Sequence, residues 1–233
     1  MLNNRSTEIT KQDILTNFWE QVRFIVENFG DKPYIITKNG SLTFKQNNNR
    51  ANAIQQLISR STPGRAKGIG LFIEDPLKIV SAMIGVRKSG NYFAPLDVSY
   101  PDLTINQMIQ TADITLILTN TINFARVRQV VNPEIAVINI DELDYSIDYP
   151  DPPVEFQPTE YVRILFTSGS LGEPKGAIED YRFMARKIYT GFFDGDCQLE
   201  DVIILLSTFT YSATWLVTIR GLFFGTTLVF YDL

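Results

Sequence analysis

Apolar residues recur at helical spacing through Phe18, Val22, Ile25, Val26 and Phe29, and Gly30 ends the run. The polar residues 1–11 before it read as a loose tail. Two short apolar runs, 34–37 and 42–44, flank Asn39-Gly40, a dipeptide that supplies the positive φ angles of a tight hairpin. Ala51, Ile54, Leu57 and Ile58 mark a second amphipathic helix. From Gly68 the pattern alternates. It predicts a strand over 68–73, a helix over 76–88 with Pro76 in its first turn, and a short extended run over 92–95. A helix over 103–112 and strands over 114–119 and 135–140 follow. The Pro-rich run 149–153 reads as a loop within one fold, because a strand over 162–166 and a small-residue loop over 167–176 come next. A helix over 181–192, a strand over 202–206, a helix over 212–224 and a strand over 227–231 complete the pattern. Alternation of this kind predicts an α/β fold, a three-layer unit with a mostly parallel sheet. The last strand is expected to lack part of its cover and to promote association.

Composition narrows the chemistry. With 45% apolar and 20% charged residues, the 233-residue chain can bury a substantial core. A net charge of −5 speaks against general nucleic-acid binding, which needs a basic surplus. The absence of histidine removes Ser-His-Asp and Cys-His nucleophilic systems and imidazole acid–base catalysis. The single cysteine, Cys197, excludes an internal disulfide or a CxxC pair and fits a reducing, cytoplasmic compartment. No run approaches the roughly 18 apolar residues of a membrane helix, so no membrane partner is expected.

The chemistry concentrates at Ile164-Leu165-Phe166-Thr167-Ser168-Gly169-Ser170-Leu171-Gly172-Glu173-Pro174-Lys175-Gly176. An apolar strand opens into hydroxyls, glycines and one lysine. Glycines let backbone N–H groups approach an anion, the hydroxyls add neutral donors, and Lys175 adds a positive charge. This set suits a polyphosphate. It is neither a Walker A loop nor a G-x-G-x-x-G fingerprint, because the Gly-Lys-Ser/Thr ending and the third glycine are missing.

The residue order Thr-Ser-Gly-Ser-x-Gly-x-Pro-Lys-Gly closely resembles the signature of the adenylate-forming (AMP-binding) superfamily. That superfamily includes acyl-CoA synthetases and the adenylation domains of nonribosomal peptide synthetases. Leu42-Thr43-Phe44 with Asn49-Arg50-Ala51-Asn52 resembles an early motif of these domains. The segment from Arg87-Lys88-Ser89-Gly90 through Ala94-Pro95-Leu96-Asp97, continued by Ser99-Tyr100-Pro101, resembles a second, and 222–229 (LFFGTTLV) a third. All occur in the family's order, and the match is nearest to the peptide-synthetase branch.

The resemblance implies that residues 12–233 are part of an N-terminal AMP-binding domain, with the small C-terminal domain and its catalytic lysine outside these 233 residues. Thr167, Ser168, Gly169, Ser170, Leu171, Gly172, Lys175 and Gly176 would line the phosphates of ATP, accompanied by Mg²⁺. Tyr211 and Ser212 would line the acyl substrate. A carboxylate would attack the α-phosphorus, and the acyl group would then pass to CoA or a carrier-protein thiol. A complementary C-terminal fragment is a further expected partner. Three departures matter. Leu171 stands where relatives carry Thr or Ser. Ser212 stands where peptide synthetases carry the Asp that pairs with an amino-acid substrate. There too, Glu179 stands near the position often filled by His in acid-activating relatives. The third and largest departure is that the resemblance places the family's adenine, ribose and magnesium contacts, its hinge and its catalytic lysine beyond these residues. These departures point to a chain without full activity of its own, or to a non-catalytic, partner-binding module derived from an adenylation domain.

Overall fold

A computed structural model of the protein describes residues 11–155, 157–168, 174–193 and 198–231. The expected tail lies outside these residues except for Lys11, which starts a helix. The described elements are mixed α/β with mostly parallel pairing, but they form two sheets rather than one. The chain divides into two compact units, finer than the single domain expected over 12–233. One comprises residues 1–48, 157–159 and 180–233, and the other residues 49–156 and 160–179.

The first unit holds α1 (Lys11–Phe29), β1 (Pro33–Thr37), β2 (Gly40–Thr43), the start of α2 (Phe44–Ser61), α6 (Tyr181–Phe193), β9 (Val202–Leu205), α7 (Ser212–Phe224) and β10 (Thr227–Phe230). Its sheet order is β2-β1-β10-β9, parallel except for the β1–β2 hairpin. That hairpin turns on Lys38-Asn39 rather than on Asn39-Gly40, because Gly40 already pairs with Thr37. The Thr37 hydroxyl accepts from the Asn39 N–H, so a side chain closes the turn in place of two positive φ angles. Phe18 of α1 stacks on Phe223 of α7 and meets Tyr181 of α6 edge-on, which joins the three helices. Gly225 ends α7 in the left-handed region (φ 77°), where glycine carries no Cβ penalty. Lys32 donates to the carbonyls of Leu199 and Gly225, and burial holds its ammonium below the ordinary lysine value.

The expectation that β10 would lie exposed is wrong. β10 runs between β1 and β9, with Leu228 fully buried. Among the described residues the edges of this sheet are β2 and β9, and at β9 Val202, Ile204 and the adjoining Leu206 are 62%, 64% and 58% exposed.

The second unit holds the rest of α2, then β3 (Gly68–Phe72), α3 (Pro76–Lys88), β4 (Tyr92–Pro95), α4 (Asp102–Thr111), β5 (Ile114–Thr119), α5 (Thr121–Val130), β6 (Ala136–Asn139), β7 (Tyr161–Ser168) and β8 (Pro174–Asp180). The sheet order is β6-β5-β3-β4-β7-β8, and the pairs from β6 to β7 are parallel. β3 is buried along its whole length, as an unbroken apolar run predicts for a central parallel strand. α3 starts where the Asp75 carboxylate accepts from the N–H groups of Leu77 and Lys78, with Pro76 at its first position. α4 lays Ile105, Met108 and Ile109 against Ile114, Ile117, Leu96 and Ile164. Each such aliphatic side chain contributes about 1.5–3 kcal/mol by leaving water.

Two of the family-like motifs fasten the connection to β7. Asn49 donates to the carbonyls of Tyr145 and Ile147, and Asn52 to that of Tyr149. The buried Lys88 ammonium reaches Asn52 Oδ1 at 2.6 Å and Asp151 Oδ1 at 2.7 Å. The Pro-rich run is therefore a strap bound to α2 and α3. At its far end Arg87 donates to the carbonyl of Tyr161, the first residue of β7.

Candidate functional site

β7 alternates between two environments. Ile164 joins the α4 core and Phe166 packs against that core, so this face is dry. Arg163 lies on the opposite face and is fully buried. Five residues connect β7 to its sheet neighbour β8. That is too few for a parallel crossover, so the two strands return antiparallel. Arg163 Nε and Nη2 donate to Glu179 Oε2 and Oε1 at 2.7 and 2.9 Å, a bidentate pair across the hairpin. Burial lowers the Arg163 pKa, and the Glu179 carboxylate counteracts the shift.

Arg163 and Glu179 are equally far in sequence from Leu171. Antiparallel strands that put Arg163 and Glu179 on one face put Thr167 and Lys175 on that face too, because 163 and 167, like 175 and 179, are four residues apart. A Cβ on Gly176 would lie 3.0 Å from Ile164 Cγ2 and 3.7 Å from Phe166 Cε1, which puts Gly176 on the face of Ile164 and Phe166 and agrees with that assignment of faces. Gly176 thus lets β8 close over the apolar face, while Thr167 and Lys175 are both exposed on the other.

The expected irregular loop over 167–176 is shorter than its sequence suggests. Thr167 and Ser168 still belong to β7, and Lys175 and Gly176 belong to β8. Gly169, Ser170, Leu171 and Gly172 lie outside the described residues. Glu179 does not face a ligand, because its carboxylate is taken up by Arg163. Sequence reading passed over this pair. An arginine inside the apolar strand Val162-Arg163-Ile164-Leu165-Phe166, mirrored across the loop by a glutamate, was the available signal.

Tyr211 and Ser212 belong to the other unit, at the start of α7. Tyr211 is exposed and Ser212 half-buried. The turn before them is rich in hydroxyls. Ser207 and Thr214 share a hydrogen bond at 2.6 Å, as do Thr208 and Thr210. Phe209 stacks on Phe230 at 5.1 Å and anchors the turn to β10. No acidic residue occurs between Ser207 and Trp215.

Among the described residues no helix is long and apolar enough to cross a membrane. None of their side chains form a group of three or more potential metal ligands of the His, Cys, Asp or Glu type.

Comparison with known proteins converges on one family. The chain is 26% identical over 153 residues to Indigoidine synthase of Dickeya dadantii (strain 3937), a match covering 63% of this chain and 10% of that protein. It is 27% identical over 187 residues to Gramicidin S synthase 2 of Brevibacillus brevis, covering 80% of this chain and 4% of that one. The fold superposes on VinN in complex with L-aspartate with a TM-score of 0.82 at 17% identity, covering 91% of this chain and 56% of VinN. The chain therefore spans only part of the length of the proteins it matches. The AMP-binding enzyme family profile matches residues 21–233, and the chain belongs to that family.

Proposed function

We propose that this chain carries the phosphate-binding end of an ATP-dependent, AMP-forming ligase that activates carboxylic acids. The observation that supports this reading is the β7–β8 hairpin, at which Thr167 and Lys175 are exposed at the two ends of the signature sequence. Thr167, Ser168 and Ser170 donate hydroxyl hydrogen bonds to phosphate oxygens. Gly169, Leu171, Gly172 and Gly176 supply backbone around them, and Lys175 offsets their charge. Mg²⁺ enters with the phosphates, as a hard cation that keeps its waters and needs no all-protein cage. When ATP is bound, its α-phosphorus accepts the substrate carboxylate and releases pyrophosphate. The acyl group of the resulting acyl-adenylate then goes to CoA or to a carrier-protein thiol as a thioester, and AMP leaves. A reducing cytoplasm suits this chemistry and the single Cys197.

Tyr211 and Ser212 line the acyl side. An α-ammonium group would find no carboxylate partner in the hydroxyl-rich turn, so a hydroxy, aryl or fatty acid fits better than an ordinary amino acid. The resemblance assigns the catalytic lysine to a C-terminal portion beyond these residues, so a complementary fragment is the expected completing partner. A non-catalytic role is the second reading, motivated by Leu171 and Ser212.

ATP–pyrophosphate exchange with a panel of acids separates the readings. The 233 residues alone should bind tripolyphosphate yet show no exchange. Addition of a family C-terminal portion should produce exchange, and its failure with every acid would favour the non-catalytic reading. No binding of ATP or tripolyphosphate at millimolar concentration would overturn the phosphate site itself.

A further inference from the structure

We infer that the Arg163–Glu179 pair is a register pin, a pair of positioning residues that fixes which face of the β7–β8 hairpin Lys175 occupies. Holding two strands together does not require a buried ion pair. An apolar pair of similar volume is often as stabilising or more so, because it needs no desolvation of charge. What the bidentate geometry adds is selectivity. Both hydrogen bonds, at 2.7 and 2.9 Å, need the two side chains on one face, and a slip of one residue would put them on opposite faces. Beyond the close seat of Gly176 on Ile164, β8 has little else to specify its register, since Lys175, Gly176, Ala177 and Ile178 are all exposed. A slip of one residue would turn Lys175 toward Ile164, where even a Cβ on Gly176 has only 3.0 Å. It would also take the cation away from Thr167. The pin and the Thr167–Lys175 pair share one face, four residues apart, about 13 Å along the strand.

The assignment of faces stands on geometry alone, and only its consequence for phosphate rests on the function proposed above. Thr167→Cys and Lys175→Cys in a Cys197→Ser background give a register probe for a short thiol cross-linker such as dibromobimane. Cross-linking should be rapid with the pin intact. It should slow roughly tenfold in Arg163→Met/Glu179→Leu and recover in the charge swap Arg163→Glu/Glu179→Arg. Thermal melting would show that the variants are folded. With native Thr167 and Lys175, the same apolar double substitution should weaken tripolyphosphate binding roughly tenfold, the scale on which misplaced binding groups act. Unchanged cross-linking in the folded apolar variant would overturn the pin. If that variant does not fold, Glu179→Gln serves, with slower cross-linking expected and an unchanged rate overturning the proposal. Pin-dependent cross-linking in a chain that binds no tripolyphosphate would uphold the register and reject only the phosphate reading.

Discussion

Lys175 is the only cation between Thr167 and Gly176, and Glu173 stands two residues before it. Phosphate affinity at this hairpin should therefore depend on one charge. Lys175→Ala is expected to weaken tripolyphosphate binding about tenfold, consistent with about 1.5 kcal/mol for a charge-assisted hydrogen bond. Leu171→Thr should strengthen it roughly threefold by adding a donor. ATP, GTP and tripolyphosphate should bind almost alike, since the resemblance places base and ribose contacts beyond these residues. Isothermal calorimetry with the three ligands measures all of this, and tight, adenine-selective binding would show that the site holds more than phosphate contacts. The signature made Lys175 and Thr167 legible in the sequence, because their order in the chain is the motif. Spacing gave Glu179 only a position relative to the signature, because spacing cannot tell an exposed strand position from a buried one. Arg163, 16 residues earlier, settles which it is.

At the scale of elements, patterns that are local in sequence were readable and those imposed by neighbours were not. α3 and α7 announced themselves through Pro76 and Gly225 at their ends. α5 did not, because it buries only Asn123 and Val127, too little for a visible stripe. β8 contains proline, lysine, glycine and two acids, and it is a strand through its pairing with β7 rather than through its own propensity. α5 is held from outside by Asp141, whose carboxylate accepts from the Thr121 N–H and pairs with Lys78 of α3 at 2.7 Å. Burial pushes the Asp141 carboxyl up, but the hydrogen bonds and charge of Lys78 and Thr121 outweigh it and hold it below its ordinary value. A depressed carboxylate pKa means stability that is present above the unfolded value, about 3.9, and lost as pH falls through the folded one. Lys78→Met should thus lower the melting temperature near neutral pH by about 2–4 °C, the shift expected for about 1 kcal/mol. The difference from the native chain should shrink below about pH 4. A pH-independent difference in melting scans would mean that Asp141 is not the group responsible.

At the scale of the whole molecule, alternation foretold an α/β chain with parallel strands but not its sorting into two sheets. Strand order depends on pairings such as Ile35 with Leu228, nearly the full chain apart, and periodicity carries no information at that distance. The expected exposure of the last strand failed for the same reason, and the edge moved to β9. Of the four edge strands among the described residues, β8 and β9 differ in how the edge is protected. β8 carries Pro174, Lys175 and Asp180, which discourage pairing with another sheet. β9 reads Val202-Ile203-Ile204-Leu205, without charge or proline, and Val202, Ile204 and Leu206 place apolar side chains in water. Such an edge favours association between chains through both backbone pairing and apolar contact. The 233-residue chain should therefore self-associate progressively with concentration in sedimentation velocity. Ile204→Lys should suppress this while moving the melting temperature little, since exposed substitutions usually stay within about 0.5 kcal/mol. Thr227→Lys, at a buried position in the central strand β10, should instead unfold the first unit and worsen aggregation. A native chain that remains monomeric at high concentration, or an Ile204→Lys chain that associates as strongly as the native one, would mean that β9 is not the surface through which copies meet.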